Sequence, residues 1–459
     1  MIERSLLYIQ EKTNGDGLHE NFHSTVVKGV SINSKTTVYG NLFIPIKRLK
    51  NGHDYVEEAI KNGASALLWQ KSEPNPPTNI PLIFVEDTLL SLQNLAASYR
   101  NDLSVKVIGV TGSNGKTTTK DLINSVLTNG YKVHKTKGNY NSQIGLPLTI
   151  LDVEEDTDFL ILEMGMSERG QIKVLSEIAK PDIGVITMIG QSHLVTLGSR
   201  DNIAKEKLDV ESGIMDGGLF IINGDEPLLS RNLPVQNVEQ RKIKVTTFGY
   251  DLSNDVYIKE SFPTKNGFAF KVNGLDFVFE LPMLGHHNVL NALIAIIIGK
   301  HFGISDSKIN DGLLHAEITG MRFEVLSSKR GMTVINDAWN ASPVSVKAAI
   351  TTFEDLKGYN KKFLVIGDML ELGNDEEKFH KEIVNELNPD TIHFVYSIGK
   401  YATSIYKELL FKYPIECIEA FYSKEELVTK LLGVTKPNDA ILVKASRGLA
   451  LEEVVEKLL

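Results

Sequence analysis

Short, uninterrupted apolar runs alternate with stretches of helical spacing along this 459-residue chain, which predicts an α/β protein built largely around parallel sheet. In residues 1–100 the strand-like runs Leu42-Phe-Ile-Pro45 and Ala66-Leu-Leu-Trp69 are separated by turn-rich segments such as Lys50-Asn-Gly-His-Asp54, and Glu73-Pro-Asn-Pro-Pro-Thr-Asn79 reads as a loop. From about residue 104 the runs Val105 to Val110, Phe159 to Leu162, Ile183 to Ile189 and Leu219 to Ile222 show no polar alternation, as expected of strands covered on both faces. After Gly320-Met-Arg322 a second series begins, with strands expected at Thr333 to Ile335, Phe363 to Ile366, Phe394 to Ile398 and Ala440 to Val443, each near a helical stretch.

The length leaves room for about three domains, and the 42% hydrophobic, 23% charged composition is that of an ordinary globular chain. A net charge of −9 argues against a nucleic-acid partner, so any phosphate-bearing ligand must be held by local positive charge. Cys417 is the only cysteine, which excludes an intrachain disulfide or thiolate cluster and suits a reducing compartment, with the cytoplasm as the expected location. Met1-Ile-Glu-Arg-Ser-Leu-Leu lacks the basic-then-apolar pattern of a signal segment, and the longest apolar stretch, Val289 to Ile298, is too short to cross a bilayer. No membrane insertion is expected.

The strongest chemical signal is Gly109-Val-Thr-Gly-Ser-Asn-Gly-Lys-Thr-Thr-Thr-Lys120, a buried strand running into a glycine-rich turn. Across Thr111, Gly112, Ser113, Asn114, Gly115, Lys116, Thr117 and Thr118, backbone N–H groups can converge on phosphate oxygens. Lys116 adds mobile positive charge, and the Thr117 hydroxyl can ligate Mg²⁺ at a helix N-terminus. The implied ligand is a nucleoside triphosphate, although Val110 stands where a strict P-loop has glycine. The predicted fold is therefore a small N-terminal α/β domain (1–100), a central P-loop ATPase-type domain with a mostly parallel sheet (101–317), and a C-terminal doubly wound, Rossmann-like domain (318–459).

Ligands of open parallel sheets sit beyond the carboxyl ends of the strands. Glu163, directly after Phe159 to Leu162, is thus a candidate Mg²⁺ ligand, because this ion takes hard oxygen donors. His193 lies shortly after Ile183 to Ile189, as either a ligand or a structural histidine. Lys205 and Lys207 fall on different faces of a helix entered from Gly198-Ser-Arg, and the plain reading of both is surface lysines.

With these elements in place the chain resembles the Mur ligases over nearly its whole length. The resemblance rests on Thr111-Gly-Ser-Asn-Gly-Lys-Thr-Thr118, Gly138-Asn-Tyr-Asn-Ser-Gln-Ile-Gly-Leu-Pro147, Leu162-Glu-Met-Gly-Met166, His193-Leu, Leu197-Gly-Ser, Ile203-Ala-Lys-Glu-Lys207, Gly285-His-His-Asn-Val-Leu-Asn291, Gly320-Met-Arg322, Asn336-Asp-Ala-Trp-Asn-Ala-Ser-Pro343, Gly367-Asp-Met-Leu-Glu-Leu-Gly373 and Lys444-Ala-Ser-Arg447. The segments at 139–141 and 367–373 look like the branch that adds D-alanyl-D-alanine to UDP-N-acetylmuramoyl-tripeptide.

The resemblance implies that Thr117 and Glu163 hold Mg²⁺, that His193 helps hold a second Mg²⁺, and that Lys207 carries a CO₂-derived carbamate whose oxygens make it a further residue of that second metal site. Lys116, His193, Lys207 and Arg322 would form the catalytic set. Asn288, Asn291, Arg322, Asp337, Trp339 and Asn340 would contact ATP, although the two asparagines also read as a polar start to the helix Val289 to Ile298. Ser34, Lys35, Asn139, Asn141, Lys444, Ser446 and Arg447 would contact the substrates, with a solvated basic loop as the other reading of the last three. The chain departs from the family pattern at Asn33, Lys35, Val195, Trp339 and Ala445; an alanine in place of glycine is harmless only where φ is negative.

The implied activity is ATP-dependent amide ligation in peptidoglycan precursor synthesis by a monomer. A paralogous ligase with another acid or amine substrate, and a non-catalytic ATP-binding protein, are the competing expectations. A dinucleotide oxidoreductase is disfavoured by the Gly-Lys-Thr ending of the loop.

Overall fold

The computed structural model describes residues 1–373 and 375–459. Near the N-terminus β1 (Glu3–Ser5) pairs antiparallel with β2 (Val26–Lys28), and β3 (Val30–Ser31), β4 (Leu42–Phe43), β5 (Ala66–Gln70) and β6 (Leu82–Val85) form a parallel sheet in chain order.

The central sheet takes β7 (Lys106–Thr111), β8 (Val133–Lys135), β9 (Phe159–Glu163), β10 (Ile183–Ile186), β11 (Leu219–Asn223), β12 (Lys244–Gly249), β13 (Val256–Pro263), β14 (Phe268–Val272) and β15 (Val278–Leu281). Their spatial order is β15-β14-β13-β12-β11-β10-β7-β9-β8, parallel from β8 to β13 and antiparallel beyond. Side chains leave alternate faces, so Val107, Leu160 and Leu162 pack into one core while Ile108, Val110 and Ile161 pack into another. Both faces are apolar because both are covered, which is why the strands read as unbroken apolar runs. The first of these cores also contains Leu42, Leu68 and Val85, so it joins the N-terminal sheet to the central one. The second is closed by the helices Lys116–Leu127 and His286–His301.

The last sheet comprises β16 (Glu324–Ser327), β17 (Thr333–Asp337), β18 (Lys362–Gly367), β19 (Phe394–Ile398), β20 (Ile418–Phe421) and β21 (Ala440–Lys444), in the order β16-β17-β21-β18-β19-β20. Only β16 runs antiparallel, and separate cores lie on the two faces. No helix is long and apolar enough to cross a membrane among the described residues.

One expected strand is shorter than its sequence suggests. The run Ile183 to Ile189 leaves the sheet after Ile186, because Thr187 donates its hydroxyl to the Asn114 carbonyl (2.6 Å) and the Met188 carbonyl accepts from the Ser113 N–H (2.9 Å). Those residues fold over the glycine-rich loop instead of extending β10.

Candidate active site

The loop between β7 and the helix Lys116–Leu127 follows the predicted strand-turn-helix form, with Gly112 at φ +148° and Gly115 at φ +83°. A Cβ at Gly112 would overlap the Thr187 hydroxyl, and one at Gly115 would lie 2.7 Å from Asn291 Oδ1. Both positions therefore need glycine for backbone conformation and for space. Gly112→Ala is expected to abolish ATP binding, as measured by titration calorimetry, and to lower the thermal midpoint by several degrees.

The catalytic-side residues converge on Thr117. Its hydroxyl donates to Glu163 Oε2 (2.7 Å) and accepts from Arg322 Nη2 (2.8 Å), which arrives from the segment leading into the last sheet. Asn141 Nδ2 donates to the other carboxylate oxygen, Glu163 Oε1 (2.8 Å). Lys116 Nζ donates to the Gly112 carbonyl (2.7 Å), close enough to Glu163 and Arg322 to feel both charges. Burial pushes its ammonium pKa down, with Arg322 adding to the effect and Glu163 opposing it; burial likewise lowers Arg322. This cluster of cationic donors around a glycine cradle is short of negative charge, which a triphosphate would supply. Ser113 Oγ and Arg322 Nε are buried without a hydrogen-bond partner among the described residues, a second sign of fit to such a ligand.

Lys207 departs from the surface reading. Lys205 is exposed and pairs with Asp201 (2.7 Å), whereas Lys207 is 2% exposed on the opposite side of the helix Arg200–Leu208. Burial first, and the neighbouring Lys116 second, hold its amine well below the ordinary lysine pKa. Glu206 does not neutralise it by contact, because that carboxylate accepts from the Gly170 (2.7 Å) and Ile172 (3.1 Å) N–H groups.

His193 sits at φ +64° and its Nδ1 lies 3.2 Å from Glu371 Oε2, a hydrogen-bond contact to the loop after β18 that lowers the Glu371 pKa. Its partner in this arrangement is Glu371, with no hydrogen bond to Thr117 or Glu163 among the described residues. Nor is there, among the described residues, a cluster of three or more His, Cys, Asp or Glu side chains able to hold a metal. Thr117 and Glu163 do offer adjacent oxygens, and Mg²⁺ takes few protein ligands because it keeps water and phosphate oxygens.

Asn288 and Asn291, at the start of the helix His286–His301, are buried rather than merely polar. Asn291 accepts from Thr119 Oγ1 (3.2 Å) and donates to Asn288 Oδ1 (3.0 Å), bracing the loop from behind. Across the junction Asn114 Nδ2 donates to Ser342 Oγ (3.3 Å), so the last sheet touches the phosphate loop directly.

Asp337 and Lys444 end the adjacent parallel strands β17 and β21 and form an ion pair at 2.8 Å, with Lys444 also donating to the Asn340 carbonyl (2.7 Å). Burial raises the Asp337 pKa against the pull of Lys444. The basic-loop reading of 444–447 thus fails for Lys444 and Ser446, both buried. Ser446 Oγ accepts from the Leu370 N–H (3.0 Å). Arg447 alone is solvent-facing, stacked over Trp339 at 4.9 Å and paired with Glu452 (2.5 Å). Ala445 is absent from the left-handed region, so its methyl is accommodated. Val195 lies against Gly373. In the Gly367-Asp-Met-Leu-Glu-Leu-Gly373 segment, Asp368 accepts from the N–H groups of Lys400 (3.0 Å), Tyr401 (2.8 Å) and Ala402 (2.7 Å), a structural role.

The expected substrate residues Ser34, Lys35, Asn139 and Asn141 line one cavity of about 710 Å³ between the first two sheets. Ser34 itself is buried and its hydroxyl donates to Glu58 Oε2 (2.5 Å), while Asn33 caps the short helix that carries it. Arg48 and Lys50 also line the cavity, and sequence reasoning missed both. The signal was a basic pair beside Gly52-His-Asp-Tyr55 in a chain of net negative charge. A second cavity of about 480 Å³ shares Asn33 and Tyr140 with the first and reaches His134. Glu371 and Ser342 were missed as well, because their partners lie in another sheet.

A phosphate cradle whose charges come from two sheets, opening through Asn141 onto a large polar cavity, defines a P-loop ATP-dependent ligase. A model of the Mur ligase middle domain matches residues 110–299, and one of the Mur ligase glutamate ligase domain matches residues 321–447. The UDP-N-acetylmuramoyl-tripeptide–D-alanyl-D-alanine ligase of Bacillus subtilis (strain 168) is 44% identical over 460 residues, covering 100% of this chain and 99% of the relative. A crystal structure of MurF from Acinetobacter baumannii superposes with a TM-score of 0.88 at 25% identity, covering 100% of this chain and 99% of that one. MurF ligase from Thermotoga maritima in complex with ADP gives 0.81 at 28% identity over 94% and 97% of the two chains. The chain belongs to the Mur ligase family.

Proposed function

We propose that this protein is the ATP-dependent ligase that joins D-alanyl-D-alanine to UDP-N-acetylmuramoyl-tripeptide through an acyl phosphate, in cytoplasmic peptidoglycan precursor synthesis. The observation that carries this reading is the junction at Asn141, one side chain that walls the 710 Å³ cavity and hydrogen-bonds the phosphate-loop carboxylate Glu163. An acid held in the cavity reaches ATP at that junction. The end-to-end 44% identity to a ligase of that name supports the same substrates.

A carboxylate cannot expel oxide from itself in water, so it must first be phosphorylated. In the proposed reaction the tripeptide carboxylate attacks the γ-phosphorus in line and ADP leaves as the bond to the β–γ bridging oxygen breaks, with Lys116 and Arg322 turning from their present partners toward the transferring oxygens. Thr117 and Glu163 would hold one Mg²⁺ and His193 would help to hold a second, both of which would neutralise charge on the phosphates. Lys207, whose amine burial and the neighbouring Lys116 hold well below the ordinary lysine pKa, would add its neutral nitrogen to CO₂ and release one proton, leaving an oxygen-bearing anion in place of the amine. Asn288, Asn291, Asp337, Trp339 and Asn340 would receive the nucleoside, Asp337 with Lys444 as its counter-ion. The D-alanyl-D-alanine amine then attacks the acyl carbonyl and phosphate departs. Of the C-terminal trio, Arg447 has the exposure to meet the dipeptide carboxylate. The chain is divided at about 100 and 317 into acceptor, ATP and C-terminal domains and acts as a monomer.

Phosphate release should require the UDP-linked tripeptide and D-alanyl-D-alanine together; turnover only with other acids or amines would favour a paralogous ligase. Lys35, Arg48 and Lys50 supply the positive charge for the acceptor's diphosphate. The double variant Arg48→Ala, Lys50→Ala is expected to raise the acceptor KM about 100-fold with kcat and the KM for ATP within about twofold, since it removes binding felt equally before and during reaction.

A further inference from the structure

Asp121 is 0% exposed, lies in the helix that follows the phosphate loop, and has no part in the chemistry above. Its Oδ1 accepts from Lys135 Nζ (2.7 Å), with Lys120 Nζ at 3.4 Å. Its Oδ2 accepts twice from one residue, Thr319, through the backbone N–H (2.9 Å) and the hydroxyl (2.7 Å). Thr319 opens the segment that carries the chain into the last sheet, and three residues later Arg322 reaches Thr117 Oγ1. Thr117 and Asp121 are four apart on one helix and so share a face. That face grips the crossing segment at two points.

The backbone between and just beyond the grips is unusual. Met321 at φ +63° and Phe323 at φ +54° flank Arg322, and neither is a residue that favours the left-handed region. Such a conformation persists where its surroundings over-determine it. Here the Met321 N–H donates to Glu324 Oε2 (2.9 Å) and the Phe323 N–H to Asp337 Oδ1 (3.3 Å). With Thr319 anchored and both neighbours turned left-handed, the direction in which Arg322 leaves the chain is set.

We propose that Asp121 is a positioning residue for Arg322: it fixes Thr319 on the phosphate-loop helix, and the left-handed turn beyond converts that anchor into the placement of the guanidinium on Thr117. Its kinetic consequence rests on the ligase reading. If Asp121 served only as counter-ion to Lys120 and Lys135, the bonds to Thr319 would be incidental.

Thr319→Val separates the two roles, because it deletes the hydroxyl donor while keeping volume, charge and the backbone N–H. In the full-length protein, hydrogen exchange across residues 319–324 should rise at least about tenfold, and kcat should fall about tenfold with the KM for ATP within about twofold. Combined with Arg322→Gln, Thr319→Val should cost less than about twofold more, since a residue acting through Arg322 has nothing left to position. Lys135→Met should lower the thermal midpoint yet leave kcat and exchange at 319–324 unchanged. Multiplying effects of Thr319→Val and Arg322→Gln, or a kcat loss in Lys135→Met equal to that of Thr319→Val, would overturn the proposal. Absence of turnover in the wild-type protein would overturn the ligase reading, while unchanged exchange in Thr319→Val would overturn the anchor itself.

Discussion

Lys116→Met is expected to reduce kcat about 10³-fold while the protein stays folded. Lys116 is the one flexible cation of the phosphate loop, and its ammonium rests on the Gly112 carbonyl rather than on a carboxylate partner. Methionine keeps the length and apolar stem but removes the charge that meets the transferring phosphoryl group. A donor aimed at developing charge in a water-poor site is worth about 10²–10³-fold, and the burial that lowers the pKa of Lys116 and Lys207 marks this site as one where charge is weakly screened. Because burial already disfavours the ammonium when no anion is bound, the thermal midpoint should hold or rise. Steady-state ADP release and a melting curve on the same preparation check both parts. A loss below about tenfold would remove Lys116 from the chemistry.

Lys207 carries the second large effect. Burial and the neighbouring Lys116 push its pKa well below the ordinary lysine value and so raise the share of neutral amine, and only the neutral amine adds to CO₂, releasing a proton as it does. Lower pH therefore opposes the adduct twice, by protonating the amine and by mass action, so turnover should fall as pH drops and as dissolved CO₂ is stripped. Lys207→Ala and Lys207→Arg should both lose about 10³-fold, because arginine restores charge but cannot form the carbamate. Labelled bicarbonate should give a carbamate carbon signal in the wild type and none in either variant. Full activity in Lys207→Arg, or indifference to CO₂ removal, would show that the buried amine acts unmodified. Unchanged nucleotide binding alongside lost turnover would also separate an enzyme from a mere ATP-binding protein.

The phosphate loop was legible because its requirements are local: glycines where φ is positive or a Cβ would collide, and Lys-Thr at a helix start. The strands were legible because burial on two faces leaves no polar alternation. The surface assignment of Lys207 failed for a reason that spacing could not supply. Helical geometry set Lys205 and Lys207 on different faces, but only the packing of that helix against the helices Gln171–Ala179 and Pro227–Asn232 decided which faced inward. Ser34 was expected at the substrate, and it does line the cavity, yet its hydroxyl is engaged by Glu58.

Sequence by itself determined the sheet class, the nucleotide cradle, the carboxylate at the end of β9 and the family resemblance, because each strand, turn and motif behind them is a short run of neighbouring residues that can be read without its tertiary partners. Tertiary structure decided which polar groups meet: Glu371 with His193, Ser342 with Asn114, Arg322 with Thr117 and Thr319 with Asp121. Those pairs join separate stretches of chain, up to 228 residues apart for Asn114 and Ser342. Side-chain periodicity reports which face of an element is buried but carries no record of the partner that covers it, and such partners exist only once the sheets have packed together.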